Sequence, residues 1–425
     1  MAVNLVRNAR VFFTTNVNAT EGTVNDAGHQ AVVTTALFTQ ELQVLDGFTF
    51  SQNTTAETIT LNESGATPKR GQRSFNTSMD PVDWSFTTYV RPRYLENTVT
   101  SGIDNDDRVV CEERVLWNAM LSSDLIGGGS AAWVETPGNA TGPVAPFSRI
   151  STTNSNRNQL QKFGLIIIFD DQTYVMDNCA IESATIDFGI DQIATIAWAG
   201  KATILRRTNA TVTASAGTFG GQFSGSFAQK ETTAKYITNK LSAARLVSAN
   251  NLFNLGATAT YNLAITGGNV TIANNLTYLV PANMGVINRA IDYYTGNRSV
   301  TGSITAYLRN DANNTGPLFK QIVDGGSGAS ADDENMFALT LGLGGSVTAP
   351  TTTSTENKVL FYCPQAMLQI PQINSEQVVS ATINFTGQGG FSTGTTPSTA
   401  VTSGTIYDVE TDNEIFVTYY AGPAT

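Results

Sequence analysis

The string Ser183-Ala184-Thr185-Ile186-Asp187-Phe188 returns 197 residues later as Ser380-Ala381-Thr382-Ile383-Asn384-Phe385. An internal repeat constrains architecture more than any local motif, because it says how many units the chain must build. Two other elements recur in the same order. Trp84-Ser85-Phe86-Thr87-Thr88-Tyr89-Val90-Arg91 is matched by Gly302-Ser303-Ile304-Thr305-Ala306-Tyr307-Leu308-Arg309, with Tyr and Arg in step. Each half then carries a short helical pattern, Val115, Leu116, Ala119 and Met120 in one and Leu318, Phe319, Ile322 and Val323 in the other. The order strand, helix, strand is therefore expected twice, with the two hexapeptides superposed. The 425 residues divide into a first domain at 1–207, a Thr, Gly and Ser-rich linker at 208–235, a second domain at 236–390 and a C-terminal tail at 391–425. That tail ends in a strand, Glu414 to Tyr420, without a counterpart in the first copy.

Strands dominate both copies. From Pro81 to Arg91 the residues Trp84, Phe86, Thr88 and Val90 alternate with Asp83, Ser85, Thr87 and Tyr89, the period-2 pattern of a strand buried on one face. Further strands are expected at Ala9 to Val17, Leu37 to Phe50 and Phe163 to Asp170. A single long strand from Ile181 to Trp198 would carry Ser183, Thr185, Asp187 and Asp191 on its polar face. In the second copy strands are expected at Ala243 to Val247, Thr258 to Ile265, Val270 to Val280, Val359 to Cys363 and Val378 to Thr386. A helix over Cys111 to Ser123 would place Glu112 and Glu113 in its first turn, where carboxylates suit the helix dipole. Ser51 to Asp80 reads as a wide polar loop tipped by Lys69, Arg70 and Arg73, and Pro281 to Arg298, with Arg289 and Arg298, is its counterpart. Residues 124–160, with Gly127-Gly128-Gly129, read as an irregular surface excursion.

Composition excludes several functions. With 24 Lys and Arg against 35 Asp and Glu, the net charge of −11 has the wrong sign for gripping nucleic acid. Three widely spaced cysteines give no disulfide framework and suit synthesis in a reducing compartment, the host cytoplasm. The start of the chain lacks the pattern of a secretory signal, and the longest apolar run, Leu165 to Phe169, is far shorter than the ~20 residues of a membrane helix. No catalytic constellation assembles. His29, the one histidine, sits in a polar loop, and Gly200-Lys201 lacks the Gly and Ser/Thr of a phosphate loop. Asp104-Asn105-Asp106-Asp107 and Asp332-Asp333-Glu334 lack the spaced ligands of a calcium loop. An enzyme, a metal site and a cofactor are not expected.

The strand Val82 to Pro92, the acidic-capped helix, the closing string Ile193-Ala194-Thr195-Ile196-Ala197-Trp198-Ala199-Gly200 and the opening Asn8-Ala9-Arg10-Val11-Phe12-Phe13 together resemble the major tail tube proteins of tailed bacteriophages. The resemblance covers residues 1–207 well and 236–390 more weakly. It implies two tandem tail-tube-like β-sandwich or partial-barrel domains, each with a flanking α-helix. It further implies rings stacked into a hollow virion tail tube, contacts with other tail proteins, and transient passage of double-stranded DNA without specific binding. Two tube domains in one chain would let three chains close a pseudo-six-fold ring; the alternative is six chains with the second copy outside. Ser183, Thr185, Asp187 and Asp191, with Ser380, Thr382 and Asn384, would line the lumen. Lys69, Arg70, Arg73, Arg289 and Arg298 would mediate ring stacking. A capsid decoration protein or a carbohydrate-binding adhesin is the competing reading, and it would need exposed aromatics where Trp84 and Trp198 fall on packed faces.

Overall fold

A computed structural model describes residues 9–14, 39–45, 47–59, 73–95, 108–121, 133–136, 147–151, 160–169, 172–208, 236–248, 260–282, 284, 288–324, 336–348, 357–375, 378–388 and 414–421. The first half contains β1 (Arg10–Thr14), β2 (Thr39–Leu42), β3 (Thr49–Ser51), β4 (Thr54–Ile59), β5 (Arg73–Met79), β6 (Val82–Tyr89), β7 (Pro92–Leu95) and β8 (Arg108–Cys111). It continues through α1 (Arg114–Leu121), β9 (Trp133–Thr136), β10 (Phe147–Ser151), β11 (Phe163–Phe169), β12 (Gln172–Gly189), β13 (Thr195–Ala202) and β14 (Ile204–Thr208). The second half contains β15 (Ala243–Ser248), β16 (Thr260–Leu263), β17 (Ile265–Ala273), β18 (Leu276–Leu279), β19 (Asp292–Thr295) and β20 (Ser299–Tyr307). It closes with α2 (Thr315–Asp324), β21 (Met336–Leu343), β22 (Lys358–Leu368), β23 (Gln372–Asn374), β24 (Ser380–Gln388) and β25 (Phe416–Tyr420). The fold is mainly β.

The pairing scheme is written twice. In the first half β2 pairs β1, β1 pairs β11, β11 pairs β12, and β12 pairs β14. In the second half β16 pairs β15, β15 pairs β21, β21 pairs β22, and β22 pairs β25. Opposite this layer, β3 pairs β6 and β6 pairs β13, as β17 pairs β20 and β20 pairs β24. The registers agree in detail. The β11–β12 ladder slips between Phe163 and Leu165, and the β21–β22 ladder slips between Phe337 and Leu339. Tyr89 faces Thr195 as Tyr307 faces Ser380, so the Trp84 and Gly302 strands are equivalent, Tyr upon Tyr.

Four expectations are corrected by these ladders. The segment Ile181 to Trp198 is a hairpin: β12 ends at Gly189, a turn follows, and β13 returns along β12. Both arms keep the same alternation on either side of the Gly189–Gln192 turn, so the reversal left no periodic trace. The hexapeptides consequently do not superpose. Ser183 to Phe188 lies in β12 between β13 and β17, whereas Ser380 to Phe385 lies in β24, the position of β13. The terminal strand does have a counterpart, since β25 lies on β22 as β14 lies on β12. Finally, α1 starts at Arg114; Glu112 instead pairs with Arg91, and Glu113 is 1% exposed.

One core runs through both halves, from Val11 and Phe13 to Tyr419. Phe13 stacks on Phe163 at 4.7 Å, and Trp84 meets Phe163 edge-on at 6.0 Å, which ties the two layers face to face. Three glycines make room for rings on the neighbouring strand. Trp84 lies opposite Gly200, Phe188 opposite Gly268 and Phe385 opposite Gly302. In the equivalent strand pairs the large and small residues have changed strands: Trp84 occupies the place of Gly302, and Phe385 that of Gly200. A β-carbon on Gly302 would stand 2.5 Å from the Phe385 ring and 2.4 Å from the Asn269 carbonyl oxygen. Gly302→Val should therefore destabilise the chain by about 3 kcal/mol, the upper range for overpacking, as a lowered urea midpoint at unchanged m.

Among the described residues two strand ladders join the halves. The C-terminal half of β12 pairs with β17, and β25 pairs with β10, which pairs in turn with β9. Residues 133–136 and 147–151 of the expected irregular excursion thus form a hairpin, while Gly127 to Gly129 lie outside the described residues. At the second joint the Trp117 indole donates to the Tyr419 hydroxyl at 2.7 Å. Glu113 interacts with Tyr419, and burial lifts its carboxyl to about 8. In the unfolded chain this carboxyl titrates near its ordinary value of 4.5. The folded state holds the proton that the unfolded state releases, so Glu113 makes stability fall as pH rises from about 4.5 to about 8. Glu113→Gln keeps the neutral shape and should flatten this dependence, gaining stability over the parent at pH 8.5 more than at pH 5 in urea titrations.

Candidate functional site

The strongest functional candidate is a surface, the face of the sheet turned away from the core. Six strands lie side by side in the order β6, β13, β12, β17, β20, β24, the first three from one half and the last three from the other. Their registers set residues in rows across the strands. One row reads Thr87, Ala197, Thr185, Thr271, Thr301, Thr386. The next reads Tyr89, Thr195, Asp187, Asn269, Ser303, Asn384. Every member is half-buried or exposed, while Phe86, Trp198, Ala184, Ile272 and Phe385 point into the core. Hydroxyls bind one another across the strands: Thr185 and Thr271 are 3.0 Å apart, Thr305 and Thr382 3.3 Å, Thr49 and Ser85 2.8 Å. Such ladders satisfy the side chains locally and leave little unpaired polarity to hold a ligand.

Six of the seven residues expected on a polar lining share this face: Ser183, Thr185, Asp187, Ser380, Thr382 and Asn384. The seventh, Asp191, lies in the β12–β13 turn, exposed, because the hairpin reverses there. The sequence reading missed Asn269 and Thr271. It broke the strand at Gly267-Gly268, whereas β17 runs through both glycines, Gly268 under the Phe188 ring and Gly267 against the Phe188 carbonyl oxygen. The parity of Asn269, Thr271 and Ala273 was the available signal. Charge on the face is sparse. Asp187, whose carboxyl is lifted by partial burial, stands among hydroxyls and amides, and Asp83 is neutralised by Lys201 at 2.8 Å.

The residues expected at ring-stacking tips separate. Ser51 to Asp80 is largely a hairpin of β4 and β5, with every described residue of β4 exposed and Arg73 exposed at the start of β5. Lys69 and Arg70 lie outside the described residues, as do His29, both acidic clusters and residues 209–235. The counterpart hairpin is β18–β19. Arg289 beside it is half-buried, and Arg298 is not at a tip but pairs with Glu414 at 3.5 Å. The two hairpins touch, the Met79 amide donating to the Asn288 carbonyl at 2.7 Å.

Among the described residues no group of His, Cys, Asp or Glu could hold a metal ion, and no helix is long and apolar enough to cross a membrane. All three cysteines are buried, and none is in a disulfide. No protein-family model matches the chain. The tail tube protein pb6 of Escherichia phage T5 is 26% identical over 387 residues, covering 91% of this chain and 72% of that protein. Over that span the chain is similar to a phage tail tube protein. An alignment of 387 residues is longer than either half, so the likeness to this tail tube protein runs through both.

Proposed function

We propose that this chain is a structural protein of a phage tail, forming the wall of the tube by stacking rings whose inner surface is the six-strand polar face. The observation that carries this reading is that face. It is continuous across both halves, small in its side chains and nearly free of charge. A DNA duplex moving along it meets hydroxyls already bonded to each other and a few carboxylates that repel phosphate, so it slides and is not held. Two equivalent halves side by side suit two tube domains per chain and three chains per ring, with other tail proteins at the ends of the tube. The adhesin reading gains nothing, because Trp84 and Trp198 are 3% and 0% exposed and offer no aromatic platform.

Negative-stain microscopy of the purified chain tests the reading. Rings of three chains, or tubes built from them, are expected on concentration. Rings of six chains would move the second half to the exterior, and a persistent monomer at high concentration would remove the tube role.

A further inference from the structure

The two ends of the polar sheet are unlike its middle. Among the described residues β23 pairs only with β24, and β3 only with β6. On β24, Gln372, Ile373 and Asn374 lie opposite Thr382, Ala381 and Ser380. On β13, Thr185, Ile186 and Asp187 lie opposite Ala197, Ile196 and Thr195. Since β13 and β24 are equivalent, β23 is the counterpart of the end of β12. By the same comparison Thr49, Phe50 and Ser51, opposite Ser85, Trp84 and Asp83, are the counterparts of Asn269, Val270 and Thr271, opposite Ser303, Gly302 and Thr301.

Inside the chain those two positions are paired with each other: Thr185 with Thr271, Ile186 with Val270, Asp187 with Asn269. We infer that β23 of one copy pairs with β3 of the next in the same register, Gln372 opposite Ser51, Ile373 opposite Phe50 and Asn374 opposite Thr49. This rests on the ring reading above and names the strands that close it.

Exposure supports a missing neighbour at this place. Ile186 is 0% exposed and its counterpart Ile373 is 51%, with Ile370 beside it at 62%. A free strand edge with apolar side chains is a template for another strand. The hairpins give an independent sign. Beyond β17 the β18–β19 hairpin straps the internal joint: Asn274 donates to the Met120 carbonyl, Tyr278 to the Asn178 carbonyl, and Tyr293 to the Leu160 carbonyl, each at 2.8 Å. Leu276 and Tyr278 are buried by this contact. The β4–β5 hairpin follows β3 in the same way, yet Ile59 and Phe75 are 42% and 50% exposed. It is placed to strap the joint to the next copy, across the second half of that copy.

Cysteine pairs in the full chain test the register. The internal counterparts Thr185 and Thr271 bring their hydroxyls to 3.0 Å, so cysteines there can close a disulfide. Ser51→Cys with Gln372→Cys, mildly oxidised in assembled material, should link chains to each other in a ladder ending at three. Thr49→Cys with Gln372→Cys, two residues out of register on the same face, should give no ladder. Thr185→Cys with Thr271→Cys should close within single chains whether or not they assemble, which verifies the template geometry. A ladder from the shifted pair instead overturns the register. Tubes by microscopy with no ladder from either pair overturn the seam and leave the tube reading standing. A ladder from Ser51→Cys with Gln372→Cys in open chains without rings keeps the seam and removes the ring. Neither ladder nor particles overturns both.

Discussion

A chain ending at residue 413 should fail to fold. The last strand looks dispensable in the sequence, following a long Gly, Thr and Ser-rich stretch, but it lies between β22 and β10 with ladder partners on both sides. Phe416, Val417, Tyr419 and Tyr420 are 2% exposed or less. Burying four such side chains is worth on the order of 6–12 kcal/mol, comparable with the ~5–15 kcal/mol by which a domain is stable. Deletion also leaves the facing backbone groups of β22 and β10 without partners. The expected result is insoluble protein, or soluble protein without a cooperative urea transition. A well-folded chain of residues 1–413 with an unchanged urea midpoint would contradict this account of β25.

The second large effect concerns assembly with the fold intact. Replacing residues 62–72 by a Gly-Ser turn removes Lys69 and Arg70 from the connection between β4 and β5 while leaving both strands in place. On a chain of net charge −11, a basic segment that contacted an adjacent ring would meet mostly acidic surface, which favours correct orientation and encounter. The variant should give soluble subunits or single rings with an unchanged urea midpoint and no long tubes by negative stain. Tubes of normal length would move the stacking contact to another surface, with residues 133–151 the first to test.

How much of this was legible beforehand depended on whether a feature leaves a local trace. The alternation of Trp84, Phe86, Thr88 and Val90 with polar residues gave the buried face of β6, and the matching Tyr89 and Tyr307 marked two equivalent strands. The hexapeptide repeat misled about which strands correspond, because two strands of one sheet that share a buried face need the same alternation whatever their place in the topology. The β12–β13 turn was invisible for a related reason, since its arms are in phase and the alternation carries on across it. At Gly267-Gly268 the error ran the other way: glycines that usually break a strand are kept inside one, Gly268 because the Phe188 ring covers the space a side chain would fill. The polar face was half legible. Its residues in β12 and β24 could be read by parity, but the rows they form with β17 and β20 depend on long-range register, which one strand does not encode. Arg298 shows the limit for charge, since its partner Glu414 lies 116 residues away in the sequence.

The β12–β17 joint also bears on how the proposed ring comes together and apart. Of two kinds of seam, one lies within the polypeptide and closes during folding at an effective concentration set by tethering, in the millimolar range for short connections. Only the other depends on how many chains are present. Dilution can therefore part chains but not halves, and growth or loss proceeds in steps two units wide, with half of every ring's seams beyond the reach of mass action.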